Sequence, residues 1–324
     1  MRDMEILVDN KNGTVWNMTE VVSDLTWKTT RIGKAASIEF NYIDASIYQD
    51  PWFTIKNGDI VRVKYKGTNV FYGYIFTIDG GKDEAVKITA YDQTRYLMNK
   101  DTYVFKNVTA TQVIQKIASD LNLKTSKLED TKYNIPTLVE DDQSLMDIIC
   151  KALDATLIAT TQNYVLFDDF GQLTVRNIKD MVSDFVIGDD SLMTDFDYKL
   201  SIDSDTYNRI KIVQDNKETK KRDVYITQDS KTIAKWGRLQ YFQKANEKLN
   251  AAQINDMMKR LLEHKNREQK TMSIKAIGDI RIRAGYFVPV IIEKKKINSY
   301  FLVDECTHEF NGDDHTMTLS LKVI

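Results

Sequence analysis

Across residues 6–91 apolar and polar positions alternate. Ile38-Glu39-Phe40-Asn41-Tyr42, Ile60-Val61-Arg62-Val63-Lys64-Tyr65 and Val86-Lys87-Ile88-Thr89-Ala90-Tyr91 each send every second side chain to one face, the period of a half-buried strand. Asn57-Gly58, Lys66-Gly67-Thr68-Asn69 and Asp79-Gly80-Gly81 supply turn residues before or between these runs. Short strands joined by tight turns predict a first small β-barrel over residues 1–100.

The period then lengthens. In TATQVIQKIASDLNL, Val113, Ile114, Ile117, Ala118 and Leu121 form one helical stripe, with Thr109 or Thr111 as N-cap. Leu145, Ile148, Ile149 and Leu153 predict a second helix over 144–154, and Asn134-Ile135-Pro136 between the two is extended. Strands are expected at 156–160, 163–167 and 172–177, with Asp168-Asp169-Phe170-Gly171 as a turn. Residues 101–190 thus read as a middle α/β domain.

Strands return at 209–213 and 223–227 around a polar DNKETKKR turn. A long helix is expected over 246–269, its apolar face made of Leu249, Ile254, Met257, Met258, Leu261 and Leu262. The chain closes with strands at 272–276, 286–292, 299–310 and 315–323. Residues 191–324 read as a second β-barrel domain that includes the helix, so the predicted class is mainly β with α+β parts.

The end of the first strand-rich region resembles the end of the chain. KNGDIVRVKYKGTNVFYGYIFTIDGGKDEAVKITAYD and RAGYFVPVIIEKKKINSYFLVDECTHEFNGDDHTMTLSLKV run through the same order of glycine, apolar strand, basic turn, aromatic strand, glycine turn and alternating strand. Gly285 stands in the place of Gly58, Tyr300-Phe301-Leu302-Val303 in that of Phe71-Tyr72-Gly73-Tyr74, and Asn311-Gly312-Asp313 in that of Asp79-Gly80-Gly81. Two similar barrels per chain imply that three copies in a ring present six similar units, a way for trimer symmetry to meet hexamer symmetry.

Composition agrees with a folded chain of two or three domains: 324 residues, 42% hydrophobic, 28% charged, and only 3 Pro. A formal charge of −2 leaves no overall field to select nucleic acid or an anionic membrane. Lys294-Lys295-Lys296 and the basic stretch 217–222 read as solvated hairpin tips. Cys150 and Cys306 fall in apolar patterns far apart in sequence, and buried free thiols are expected. The start, MRDMEILVDNKNG, lacks the apolar core of a signal peptide, and no run approaches the ~18 apolar residues of a membrane span. Synthesis in a cytoplasm with no membrane anchor is expected.

Catalytic chemistry finds few candidates. Of the three histidines, His264 lies in the polar part of a predicted helix with no motif around it. Cys306, His308 and His315 come together across one hairpin and, with Asp304 or Asp314, make a conceivable metal set; their spacing reads as hairpin packing instead. The acid pairs Asp141-Asp142, Asp168-Asp169, Asp189-Asp190 and Asp313-Asp314 all fall in predicted turns, where adjacent carboxylates point apart. Neither a phosphate-cradling GxxxxGKS nor a GxGxxG is present. No catalytic, cofactor-binding or metal residue is assigned, and neither a cofactor nor an enzyme is expected.

The hairpin GDIVRVKYKGTNVFYGYIF, the exit VKITAYDQTRYLMNKDTYVF, the helices TATQVIQKIASDLNL and SLMDIICKALDAT, the stretch NYVLFDDFGQLTVRNI and the segment IAKWGRLQYFQ, in this order and spacing, resemble the XkdQ/YqbQ family of phage tail proteins. That family is similar to baseplate hub proteins of contractile tails, including the late control protein D group. The resemblance implies a structural hub in a phage, prophage or phage-tail bacteriocin particle, made in a bacterial cytoplasm. It implies a homotrimer, formed on assembly, that docks on the hexameric tail tube and holds the central spike among other baseplate subunits, without nucleic-acid sequence recognition. On this reading the hairpins 27–43 and 209–227 are candidates to line the channel. The alternatives are a tail-associated cell-wall hydrolase, using an acid pair, or a carbohydrate-binding tail module.

Overall fold

The computed structural model describes residues 3–44, 49–82, 84–216, 221–245 and 249–322. The first region forms β1 (Met4–Asp9), β2 (Val15–Asn17), β3 (Val22–Thr30), β4 (Ser37–Ile43), β5 (Ile60–Tyr65), β6 (Thr68–Gly80) and β7 (Ala85–Tyr91). Alternation is realised directly: in β1 and β4 every second side chain is buried. Ile6, Ile38, Phe40, Val61, Val63 and Ile88 make one core, each contributing roughly 1.5–3 kcal/mol of apolar burial.

A 3-10 turn, Gln93–Met98, leads into β8 (Lys100–Val108), α1 (Ala110–Asp120), β9 (Thr125–Leu128), β10 (Ile135–Ser144), α2 (Leu145–Thr160), β11 (Tyr164–Asp168) and β12 (Leu173–Asn177). Thr109 caps α1 in a reciprocal box with Gln112, and Ser144 caps α2. Ile114, Ile117, Ile148 and Ile149 are the centre of a second core. The strand expected at 156–160 is instead the end of α2. Its β-branched residues read as strand, but Thr156 and Thr160 donate their hydroxyls to the Ala152 and Thr156 carbonyls, which satisfies them inside a helix. Thr161, left-handed at φ 61, ends it.

The last region holds β13 (Ile187–Gly188), β14 (Met193–Ser201), β15 (Arg209–Asn216), β16 (Lys221–Gln228), α3 (Ser230–Trp236), β17 (Gln240–Lys244), α4 (Ala251–Lys265), β18 (Gln269–Ile277), β19 (Phe287–Ile292), β20 (Ile297–Asn311) and β21 (Asp314–Lys322). The long helix is shorter than the expected 246–269. Asn250 boxes its start with Gln253, Asn266 ends it, and Gln269 already belongs to β18; residues 246–248 lie outside the described ones. α4 packs Ile254, Met258 and Leu261 on Ile210 and Ile212 of the small sheet β16-β15-β17.

The larger sheet has 13 strands in the path β14-β18-β21-β20-β3-β4-β7-β6-β5-β1-β2, with β19 on β20 and β13 on β19. Two stretches of it have the same order. β3-β4-β7-β6-β5 is matched by β14-β18-β21-β20-β19, antiparallel at every step. The ladder skips one residue at Phe76 and, in the second stretch, at Asp304. The entry is repeated too: Gly58 N donates to Ile75 O and Ile75 N to Asp59 O, while Gly285 N donates to Val303 O and Val303 N to Tyr286 O. Both glycines have positive φ, 88° and 97°.

This equivalence corrects the sequence alignment of the repeat by one residue. Val61 faces Gly73 and Val288 faces Phe301, so Tyr300-Phe301-Leu302-Val303 takes the place of Tyr72-Gly73-Tyr74-Ile75. A slip of one would put every side chain on the wrong face. Gly80 pairs with Val86 as His308 pairs with Met317; beyond that rung the last hairpin continues through Glu309, Phe310 and Asn311. The two stretches are not separate sheets: β3 pairs along Asp24 to Thr30 with Asn311 to Glu305 of β20.

Candidate functional site

The β3–β20 seam is where the ends of the chain meet. Trp27 stacks on His308 with ring centroids 4.9 Å apart and 17° between planes, and both are buried. Phe310, on the extra rungs of the last hairpin, enters the core of the first region, and His315 stacks on it at 4.1 Å. Polar groups are matched as closely. Arg31 donates its backbone N–H to the Asp304 carbonyl (2.9 Å) and its Nε to the Asp304 carboxylate (3.0 Å), whose other oxygen accepts from Lys322 at 2.6 Å. Asp304 is the residue left over by the bulge, so the break in the ladder turns a carboxylate toward two cations. Burial alone would raise its pKa, yet Lys322 and Arg31 hold it below the ordinary value.

The structure brings Cys306, His308 and His315 together. His308 Nε2 lies 2.9 Å from the Ile282 carbonyl oxygen, which can only accept, so this nitrogen carries the hydrogen. Nδ1 is then the acceptor for His315 Nε2 at 3.0 Å. Cys306 Sγ lies 3.1 Å from His308 Nε2 and its thiol donates toward the same carbonyl at 3.8 Å. The lone-pair nitrogen of His308 that a metal would need is thus engaged by His315, and among the described residues no group of three or more ligating side chains converges on a metal position. Burial pushes both histidines down to about 4 and the Cys306 thiol up, so all three are neutral at pH 7.

A second convergence was not read from the sequence. Asp92 follows β7, Asp168 ends β11 and Arg283 precedes β19, and the three meet beside a cavity of about 330 Å³. Asp92 caps the 3-10 turn, accepting from Thr94 N at 2.9 Å. Asp168 accepts from Gln93 Nε2 at 2.8 Å and Gly171 N at 2.6 Å, and Gln93 also bonds the Lys124 backbone in both directions. Arg283 donates to the Asp168 carbonyl at 3.1 Å and lies over the Phe167 ring at 4.2 Å. Burial, and the charge of Asp168 beside it, push Asp92 up to about 7. Asp168 is raised as well, first by burial. The carboxylates are 2% and 6% exposed and bonded inward, which makes the trio a joint between three parts of the chain. Only long-range pairing reveals it, since these residues are scattered in sequence.

The chain matches the YQBQ-like family over residues 25–322. It belongs to that family. Two relatives from Bacillus subtilis strain 168 are each 33% identical over 275 residues: the uncharacterized protein YqbQ, covering 83% of this chain and 82% of its own length, and the phage-like element PBSX protein XkdQ, covering 83% of each. The fold is that of the 43 kDa tail protein of prophage MuSo2 from Shewanella oneidensis (TM-score 0.71, 14% identity, 98% of each chain) and the tail protein from Neisseria meningitidis MC58 (0.69, 13%, 99% and 96%). It is also similar to the Escherichia coli c3393 protein, a type VI secretion component described as similar to phage T4 tail proteins gp27 and gp5 (0.53, 8%, 98% and 76%).

In this YQBQ-like chain the remaining candidates, Asp168 excepted, are apart from both convergences or at their edge. Asp141 and Asp142 sit in a bulge within β10 rather than in a turn, exposed and bonded to Thr102 and Lys100. Asp168 also departs from the turn reading, being a buried strand end, whereas Asp169 next to it faces Arg176. Asp189 accepts from Glu293 N, and Asp313 lies in the tip of the last hairpin while Asp314 already begins β21, paired with Asn311. His264 closes α4 on the rim of the cavity. Both cysteines are free, but Cys150 is only half-buried. Lys294 and Lys295 lie exposed in a one-turn tip, and of the basic stretch 217–222 only Lys221 and Arg222 are described, in β16. Among the described residues no helix is long and apolar enough to cross a membrane.

Proposed function

We propose that this chain is a structural hub subunit of a contractile tail baseplate, in a phage, prophage particle or phage-tail-like bacteriocin, without catalytic activity. It is made in the bacterial cytoplasm and joins the hexameric tail tube to the trimeric spike as a homotrimer, completed on assembly with other baseplate subunits. Its two tube-like units face the tube and line part of the channel. The observation that carries this reading is the repeated five-strand order, with the same bulge and the same glycine entry, inside one chain. Three chains then offer six nearly equivalent units to a six-fold partner. Exposed apolar positions such as Val104 and Val139, opposite each other on β8 and β10, fit further subunit contacts.

Light scattering of the purified protein, alone and mixed with its cognate tube or spike protein, tests this. A trimer, alone or on mixing, supports the hub; a monomer that ignores both partners overturns it.

A wall-hydrolase reading has one observation in its favour, the buried Asp92 and Asp168 with raised pKa values beside a cavity. Zymography on peptidoglycan decides it: clearing that is lost in Asp92→Asn and Asp168→Asn would replace the structural reading.

A further inference from the structure

The internal repeat leaves two halves of a second seam unfilled, one on β14 at the edge of the sheet and one on the end of β6 that runs past β5. In the seam, β3 borders its own unit through β4 and lends its other edge to the far half of β20. The strand equivalent to β3 is β14, which among the described pairings has β18 on one side and nothing on the other. The strand equivalent to β20 is β6, whose end from Thr77 to Gly80 pairs with β7 alone, β5 having stopped at Tyr74. Among the described residues each chain thus has one strand edge of each kind without a partner.

From these edges we infer that β14 of one copy pairs antiparallel with the end of β6 of the next copy, in the register that β3 and β20 already use. This rests on the hub reading for the number of copies, three, whereas the register comes from the repeat. Leu25 and Trp27 hold the places of Phe196 and Tyr198, because each pair faces equivalent residues of β4 and β18. Cys306 and His308 hold those of Ile78 and Gly80. The rungs Cys306–Thr29, Thr307–Lys28 and His308–Trp27 therefore map onto Ile78–Leu200, Asp79–Lys199 and Gly80–Tyr198.

Three features of these positions fit a missing partner strand. Thr29, Trp27, Cys306 and His308 are 2%, 4%, 0% and 0% exposed, whereas their counterparts Leu200, Tyr198 and Ile78 are 47%, 36% and 37% exposed, large apolar side chains on open edges. The mapping puts Ile78 opposite Leu200 and lays Tyr198 over Gly80, as Trp27 lies on His308. On the other face it sets Asp79 against Lys199, an opposite-charge rung. A contact between two different edges is heterologous and closes into a ring when the rotation allows. With the internal seam alternating with this one, three chains make six junctions of one kind.

Oxidative cross-linking in a Cys150→Ser background reads the register directly. Ile78→Cys with Leu200→Cys is expected to give covalent trimers on a non-reducing gel, from the protein alone or after mixing with its spike partner. Ile78→Cys with Lys199→Cys, one residue out of register and on opposite faces, should give none. Asp79→Lys should weaken association about tenfold, and adding Lys199→Asp should restore it. A trimer by light scattering that fails to cross-link at Ile78 and Leu200, or cross-links equally at the slipped pair, overturns this pairing and leaves the hub standing. A protein that stays monomeric with and without partners overturns both, and a ladder running past trimer overturns ring closure.

Discussion

Trp27 and His308 stack face to face although they come from opposite ends of the chain, and this contact closes the seam between the two repeated strand sets. Trp27→Ala should cost about 3–5 kcal/mol, the usual range for removing a buried aromatic. Urea unfolding measures the loss. Amide exchange should locate it, with β3 and β20 losing protection before α1 and α2.

His308 and His315 stay neutral in the fold to about pH 4, while in the unfolded chain they titrate near 6.5. A depressed histidine has no effect on stability above the unfolded value; as the pH falls below 6.5 the unfolded chain takes up protons that the native seam refuses. Stability should fall between pH 6.5 and 4, by about 3 kcal/mol for the fully buried His308 alone. Urea midpoints across this range for the native chain and for His308→Phe check it: the variant is less stable at pH 7.5 and its acid slope is shallower.

Asp92 acts in the opposite sense. Its folded value, raised to about 7, lies above the unfolded carboxylate value of 3.8, so the native state takes up a proton first and this residue's contribution grows as the pH falls from 7 toward 4. Asp92→Asn keeps an acceptor for Thr94 and removes the ionisation. Relative to the native chain, the variant should be more stable at pH 8 than at pH 5 by about 1–3 kcal/mol, a difference that paired denaturant curves resolve. Equal differences at both pH values would mean that Asp92 is ionised throughout.

Gly73 sits where a side chain has no room: a Cβ there would lie 2.3 Å from the Tyr91 carbonyl oxygen and 2.5 Å from the Phe71 ring. Gly73→Ala should destabilise by about 1–3 kcal/mol. At Gly81 a Cβ meets nothing within 4 Å, so Gly81→Ala should shift the urea midpoint little.

Strand alternation, helix caps and the order of the repeated motif were legible in the sequence because they depend on near neighbours. The stripe of Val113, Ile114 and Ile117 and the cap at Thr109 appear in α1 as the pattern implies. Where local cues conflicted, reading failed: the β-branched run at the end of α2 looks like strand, yet the helix buries Thr156 and accommodates both threonine hydroxyls on carbonyls one turn back. β14 was missed for a related reason. Phe196, Tyr198 and Leu200 do alternate with polar residues, but no side chain of Met193 to Ser201 is more than partly buried and the strand's partner lies far along the chain.

The sequence by itself determined a mainly β chain with an internal repeat and no recognisable catalytic motif. Tertiary structure alone decided that the repeated sets share one sheet, that the repeat is shifted by one residue, and that Asp92, Asp168 and Arg283 converge. The physical reason is the same in each case. Strand partnership is set by backbone hydrogen bonds between edges, which carry almost no side-chain signature, whereas strand existence is set by which side chains must leave water.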